Sequence, residues 1–198
     1  MISNGDLCPV CGNRDFVYSS VLWPELVDAW QLSAYEVSYI NRQQGFHCSV
    51  CKNNLRAMGL ASALMREYAF NGILSRFCSE TGQLRLLEIN RCGNLTGYLS
   101  AMKGHRLVEF PHYDMQRLDI PPAAYDVVVH SDTLEHVPNP ERGLSECRRV
   151  LATGGKCLFT VPIIVDRMSR NREGLPASYH GRASDVADDQ TVHSEFGV

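Results

Sequence analysis

Four cysteines in two C-x2-C pairs carry the clearest chemical spacing in the chain: Cys8 and Cys11 in CPVCG, and Cys48 and Cys51 in CSVCK. Two residues between cysteines make a tight turn whose thiolates converge on one cation while its amides point at the sulfurs. Two such turns supply the tetrahedral four-thiolate set of a structural zinc site. Gly12 suits the turn after the first pair. A closed site of this kind contributes folding energy and leaves no position for a substrate, so catalysis is not expected there. His47, beside Cys48, is read as a bystander, because four thiolates already complete the set. The remaining cysteines, Cys78, Cys92, Cys147 and Cys157, show no ligand spacing and are read as buried small side chains.

The elements that would position these pairs follow from local pattern. About 36 residues separate Cys11 from Cys48, more than the roughly 15 to 20 of a compact zinc ribbon, so something folded fills the interval. WPELVDAWQL places Pro24 in a first helical turn, and SAYEVSYINRQQG opens with a Ser33–Glu36 capping box and stops at Gly45. A helical insertion is predicted there. Apolar residues at helical intervals predict one long amphipathic helix over 56–77. Beyond it LRLLEI reads as a buried strand, NRCGNLTGYLSAM as a loop opening a helix, and HRLVEF and YDVVVH as further strands. NPERGLSECRRVL reads as a helix and TGGKCLFTVP as a glycine turn entering another strand. This alternation implies an α/β fold with a parallel sheet. The predicted organisation is a zinc-ribbon-like module with a helical insertion over 1–55, a linker helix over 56–82 and an α/β domain over 83–198.

A length of 198 residues accommodates one α/β domain and a small module, not two large domains. With 44% hydrophobic and 21% charged residues a packed core is expected. No apolar run reaches bilayer length and the N-terminus lacks a secretory pattern, so the expectation is a cytoplasmic protein without a membrane partner. A net charge of −3 gives no general attraction to phosphate backbones.

The segment YDVVVHSDTLEHVPNPERGLSECRRVLATGGKCLFTVP resembles the second half of a class I S-adenosylmethionine-dependent methyltransferase: Asp126 on a strand, then Leu134 to Val137, then the RVL-x-x-GG run from Arg149 to Gly155. With LLEI, the resemblance covers roughly 84–162. It implies a Rossmann-like sheet and S-adenosylmethionine as cofactor. The family's E/D-x-G-x-G-x-G loop corresponds here to EINRCGN, with Glu88 in the acidic place, Asn90, Cys92 and Asn94 where glycines usually stand, and Gly93 nearby. Asn tolerates left-handed backbone angles, so Asn90 and Asn94 are plausible substitutes.

The resemblance further implies that Glu109 is the ribose-binding acid. Asp114 and Met115 would cradle the adenine through an acid and a backbone amide, and Ser131 and Asp132 would contribute to the cofactor site. The stretch between Glu109 and Tyr125 is too short for a helix and another strand, so an abbreviated sheet is expected. The chain ends at HSEFGV, short of the family's last antiparallel strand pair, which implies a trimmed or cut domain.

Methyl transfer needs in-line alignment and exclusion of water more than acid–base groups. Where the acceptor is a hydroxyl or amine a base helps, and His136 is the candidate, in the loop after the third strand; its alternative role is packing the helix start. His130, Tyr179 and His180 are further candidates. Asp132, Glu135 and His136 also resemble the acid and histidine set that binds a divalent cation in some quinone O-methyltransferases. The leading reading is a small-molecule methyltransferase with a structural zinc module. Two alternatives stay open: an RNA methyltransferase whose zinc module recognises nucleic acid, against which the acidic balance speaks, and a silent protein that kept the fold after losing the glycine loop.

Overall fold

A computed structural model describes residues 7–178 and 191–198; the candidates Tyr179 and His180 lie outside them. The chain forms two compact units, one of residues 1–82 and 93–102, the other of 83–92 and 103–198. Among the described residues no helix is long and apolar enough to cross a membrane.

In the first unit β1 (Phe16–Tyr18) is followed by α1 (Pro24–Ala29), α2 (Ala34–Gly45) and β2 (Phe46–Cys48), and β1 and β2 pair antiparallel with Phe16 opposite Cys48. The interval between the cysteine pairs is thus helical. Pro24 occupies the first turn of α1, and α2 opens with the expected capping box: the Ser33 hydroxyl accepts from the Glu36 amide at 3.3 Å, and the Glu36 carboxylate accepts from the Ser33 amide at 2.6 Å. Gly45 is required by close approach, since a Cβ there would overlap the Ser19 carbonyl.

The single helix expected over 56–77 is two, α3 (Leu55–Glu67) and α4 (Leu74–Glu80). The break follows from Ala69, which sits at φ 51, and from the helix-breaking Asn71-Gly72 step. Met58, Leu64, Leu74 and Phe77 are fully buried. The loop after the next strand contributes α5 (Thr96–Leu99), a single turn preceded by a 3-10 turn over Gly93–Leu95.

The second unit is built on β3 (Leu86–Ile89), β4 (His105–Val108), β5 (Tyr125–Ser131) and β6 (Leu151–Thr160), all parallel, in the order β4-β3-β5-β6, with α6 (Pro140–Val150) joining β5 to β6. Strands buried on both faces read as continuous apolar runs, which is why LLEI and YDVVV show no alternation. Leu87, Ile89, Val108, Val128, Cys147 and Val150 share one core with Met115, Leu118 and Ile120 from the stretch between β4 and β5. That stretch supplies core side chains in place of the missing helix and strand. Beyond β6, the short strands β7 (Ile163–Ile164), β8 (Arg170–Asn171) and β9 (Ser194–Gly197) form a small sheet in the order β7-β9-β8. The HSEFGV end forms a strand paired with the 163–172 region, where Glu195 forms ion pairs with Arg170 and Arg172.

Candidate functional site

The two cysteine turns are built alike. The Gly12 amide donates to the Cys8 carbonyl at 2.8 Å and the Lys52 amide to the Cys48 carbonyl at 3.0 Å, while the Cys8 and Cys48 amides donate to the carbonyls of Asn13 and Asn53. Gly12 and Lys52 close these turns at φ 81 and φ 58, so the second knuckle holds a left-handed residue without glycine. All four sulfurs lie within 4.8 Å of one another. Across the knuckles, the Cys8–Cys51 and Cys11–Cys48 sulfurs are both 3.6 Å apart, near the edge of about 3.8 Å that a tetrahedron with metal–sulfur bonds of about 2.3 Å requires. Burial pushes the Cys8 and Cys11 thiols up. Burial pushes Cys48 the same way, yet hydrogen bonds from the Cys51 and Val50 amides and from the other thiols outweigh it and bring it down to about 7. His47 bonds through Nδ1 to the Gly45 carbonyl at 2.9 Å, outside the sulfur set.

A second group of expected residues lies at the carboxyl edge of the parallel sheet, where open α/β sheets bind ligands. Glu88 is fully buried and turned inward: Oε1 accepts from the Cys92 amide at 2.7 Å and Oε2 lies 2.7 Å from His105 Nε2. It shapes the loop. Asn90 sits at φ 54, its amide donates to the Val108 carbonyl at 2.8 Å, and its side-chain Oδ1 accepts from the Phe110 amide at 3.0 Å, so one residue ties the ends of β3 and β4 together. Cys92 is buried in a position where the pattern has glycine. Glu109, one residue past β4, keeps a carboxylate 44% exposed, paired with Arg91 Nε at 3.1 Å.

Asp114 accepts from the Gln116 amide at 2.8 Å in a tight turn, and the Met115 side chain belongs to the core, leaving only its backbone for a ligand. Ser131 Oγ is 2.7 Å from Thr160 Oγ1, and Asp132 lies at φ 51 with its amide donating to the Thr160 carbonyl. Gly93 and Asn94 belong to the first unit, where the Asn94 side-chain amide donates to the Lys52 carbonyl at 3.2 Å. The expectation that Asn94 replaces a glycine by adopting left-handed angles is corrected: among the described residues of this loop only Asn90 and Gly93 have positive φ.

The turn over 114–120 is held from α6. Arg149 grips Glu146 through Nε and Nη2, and its Nη1 and Nη2 donate to the carbonyls of Ile120 and Leu118, while Glu146 accepts from the Leu118 amide at 2.8 Å. The hydrogen bond from Arg149 holds the Glu146 carboxyl below its ordinary value. Asp126 has a structural task at the other end of the sheet, where it accepts from the Arg85 guanidinium and amide.

His136 lies in the 3-10 turn Leu134–His136 after β5. Its Nδ1 donates to the Thr191 carbonyl at 3.0 Å, and Nε2 is 3.7 Å from Glu135 Oε1. Asp132, Glu135 and His136 do not converge as metal donors; the described residues hold two other such sets, the four cysteines and His130 with Cys147 and Cys157. Sequence spacing misses the second set, because its members come from β5, α6 and β6. His130 is fully buried, its ring nitrogens meet no hydrogen-bond partner at ordinary distance among the described residues, and it interacts with the nearby Cys157 thiol.

Residues 70–159 match the family described as a methyltransferase domain. The chain is 31% identical over 91 residues to a ubiquinone biosynthesis O-methyltransferase of Idiomarina loihiensis, an alignment covering 45% of this chain and 37% of the relative. It is 38% identical over 81 residues to a "probable S-adenosylmethionine-dependent methyltransferase" of Mycolicibacterium smegmatis, covering 41% and 31% of the two chains. The matched stretches thus span about a third of the length of these curated relatives. A crystal structure described as that of a candidate methyltransferase from Bacillus halodurans aligns over 43% of each chain with a TM-score of 0.36 and 21% identity.

Proposed function

We propose, from the methyltransferase domain carried by residues 70–159, that this protein transfers a methyl group from S-adenosylmethionine to a small-molecule acceptor by in-line displacement. The observation that carries the reading is the join made by Asn90 at the edge of β3 and β4. A left-handed asparagine does there what a glycine backbone does in the resembling family, and its side chain fastens the loop to the strand that ends in Glu109. The residues at this edge fit the cofactor in chemistry: the Glu109 carboxylate faces solvent and can accept from a pair of ribose hydroxyls, and the Asp114–Met115 turn offers an acid and a backbone amide.

When bound, the sulfonium donor supplies an already activated methyl group, so the protein's part is to align the acceptor and exclude water. His136 serves as the base for a hydroxyl acceptor: its Nδ1 is committed as a donor to Thr191, so in the neutral ring Nε2 is the nitrogen that takes a proton. An oxygen acceptor on a small molecule is supported by the name of the Idiomarina relative, and a net charge of −3 speaks against nucleic acid. The four cysteines hold one structural zinc ion.

Calorimetry with S-adenosylmethionine tests the reading. Binding to the wild type is expected, weakened about tenfold in Glu109→Ala by loss of roughly one charged hydrogen bond; absence of heat and of any thermal shift at millimolar ligand overturns it.

A further inference from the structure

Val128 lies opposite Cys157 in the β5–β6 ladder, and His130 lies opposite Phe159. Side chains alternate along a strand and cross-strand partners share a face, so Cys157, His130 and Phe159 all point from the same side of the sheet. Phe159 stacks on the imidazole with ring centroids 4.8 Å apart and planes 8° from parallel. Cys147, fully buried on α6, completes the group: its sulfur, the Cys157 sulfur and an imidazole nitrogen lie within 4.8 Å of one another, the same mutual limit that the four-cysteine set meets.

We infer that His130, Cys147 and Cys157 form a second metal site, which takes a divalent zinc-type cation through one imidazole nitrogen and two thiolates. The buried imidazole meets no hydrogen-bond partner at ordinary distance among the described residues, and the group it interacts with is the Cys157 thiol, so the ring is already turned onto the sulfurs. The donor set is soft and nitrogen–sulfur mixed, which selects zinc or monovalent copper over magnesium or calcium. Charge decides between these two. Two thiolates and a divalent ion sum to zero, whereas a monovalent ion leaves a net negative charge in the core, where an uncompensated charge is costly. On binding, the two thiols release their protons to solvent as two metal–sulfur bonds form, and no electron transfer is involved. Two thiolates and one imidazole make three donors, and a water would complete the four, as at other three-residue zinc sites. The ion ties α6 to β5 and β6, the elements that carry Arg149, Ser131 and Thr160.

Metal analysis of the full chain purified with zinc tests the site. Two equivalents are expected in the wild type, one in Cys157→Ser and one in His130→Phe, with Cys11→Ser losing the other. Cobalt substitution reads the sites apart: the wild-type minus Cys157→Ser difference spectrum should show thiolate-to-cobalt charge transfer about half as strong per ion as that of a four-thiolate site. The inference is overturned by a wild type holding one equivalent that Cys11→Ser removes and Cys157→Ser keeps. It is equally overturned by mild oxidation that joins Cys147 to Cys157 in protein already saturated with zinc. Both outcomes leave donor binding at Glu109 untouched.

Discussion

Asn90 combines a left-handed backbone with a side-chain clamp, and the two contributions separate by substitution. Asn90→Ala keeps a Cβ that disfavours φ 54 and removes the acceptor for the Phe110 amide, so a loss of about 1.5–3 kcal/mol is expected in urea unfolding. Asn90→Gly relieves the backbone and loses only the hydrogen bond, about 1 kcal/mol; equal losses in the two variants would contradict the left-handed account. For His136→Asn, kcat for an oxygen acceptor is expected to fall about 10²-fold or more with donor affinity unchanged. A purely structural histidine would instead lower the melting temperature and leave the pH profile of kcat where it was. At this scale the sequence was only partly readable. Asn90 and Glu109 could be placed because strand ends and residue chemistry are local, but the inward turn of Glu88 onto His105, the pairing of Arg91 with Glu109, and the meeting of His130 with Cys147 and Cys157 depend on strand register.

Among the elements, α6 is both a crossover and a clamp. Its Arg149–Glu146 pair closes on the 114–120 turn through the Leu118 and Ile120 backbone. The folded Glu146 carboxyl is held below its unfolded value of about 4.3, so its contribution to stability is present above that value and is lost as pH falls through the lower folded one. Glu146→Gln is therefore expected to be less stable than the wild type at pH 7, with the gap narrowing below about pH 4 in denaturant titrations. A gap constant with pH would show that packing, not charge, accounts for the loss. Element types were legible where pattern was strong: the capping box marks the start of α2, and the apolar runs mark β3 and β5. The break between α3 and α4 was hidden because apolar spacing continues across it while Ala69 adopts a conformation that its residue type does not announce.

For the whole molecule, the two cysteine turns and β1–β2 form one small structure, and a metal held by the four sulfurs would supply much of its order. In Cys11→Ser, hydrogen exchange is expected to accelerate at amides of 8–18 and 46–54 while amides of the β3–β6 sheet keep their protection; uniform acceleration throughout would sink this view. The sequence located both the cysteine module and the α/β region, yet spacing alone gave no sign that residues 93–102 pack with the former.

That excursion, fastened where Asn94 donates to the carbonyl next to Cys51, means that no single scissor point frees either half intact. A fragment starting at residue 83 carries an orphaned decapeptide, and one ending at 82 lacks a piece of its own wall. Anyone wishing to study the cysteine module alone would have to graft the stretch 93–102 back onto it with an artificial tether.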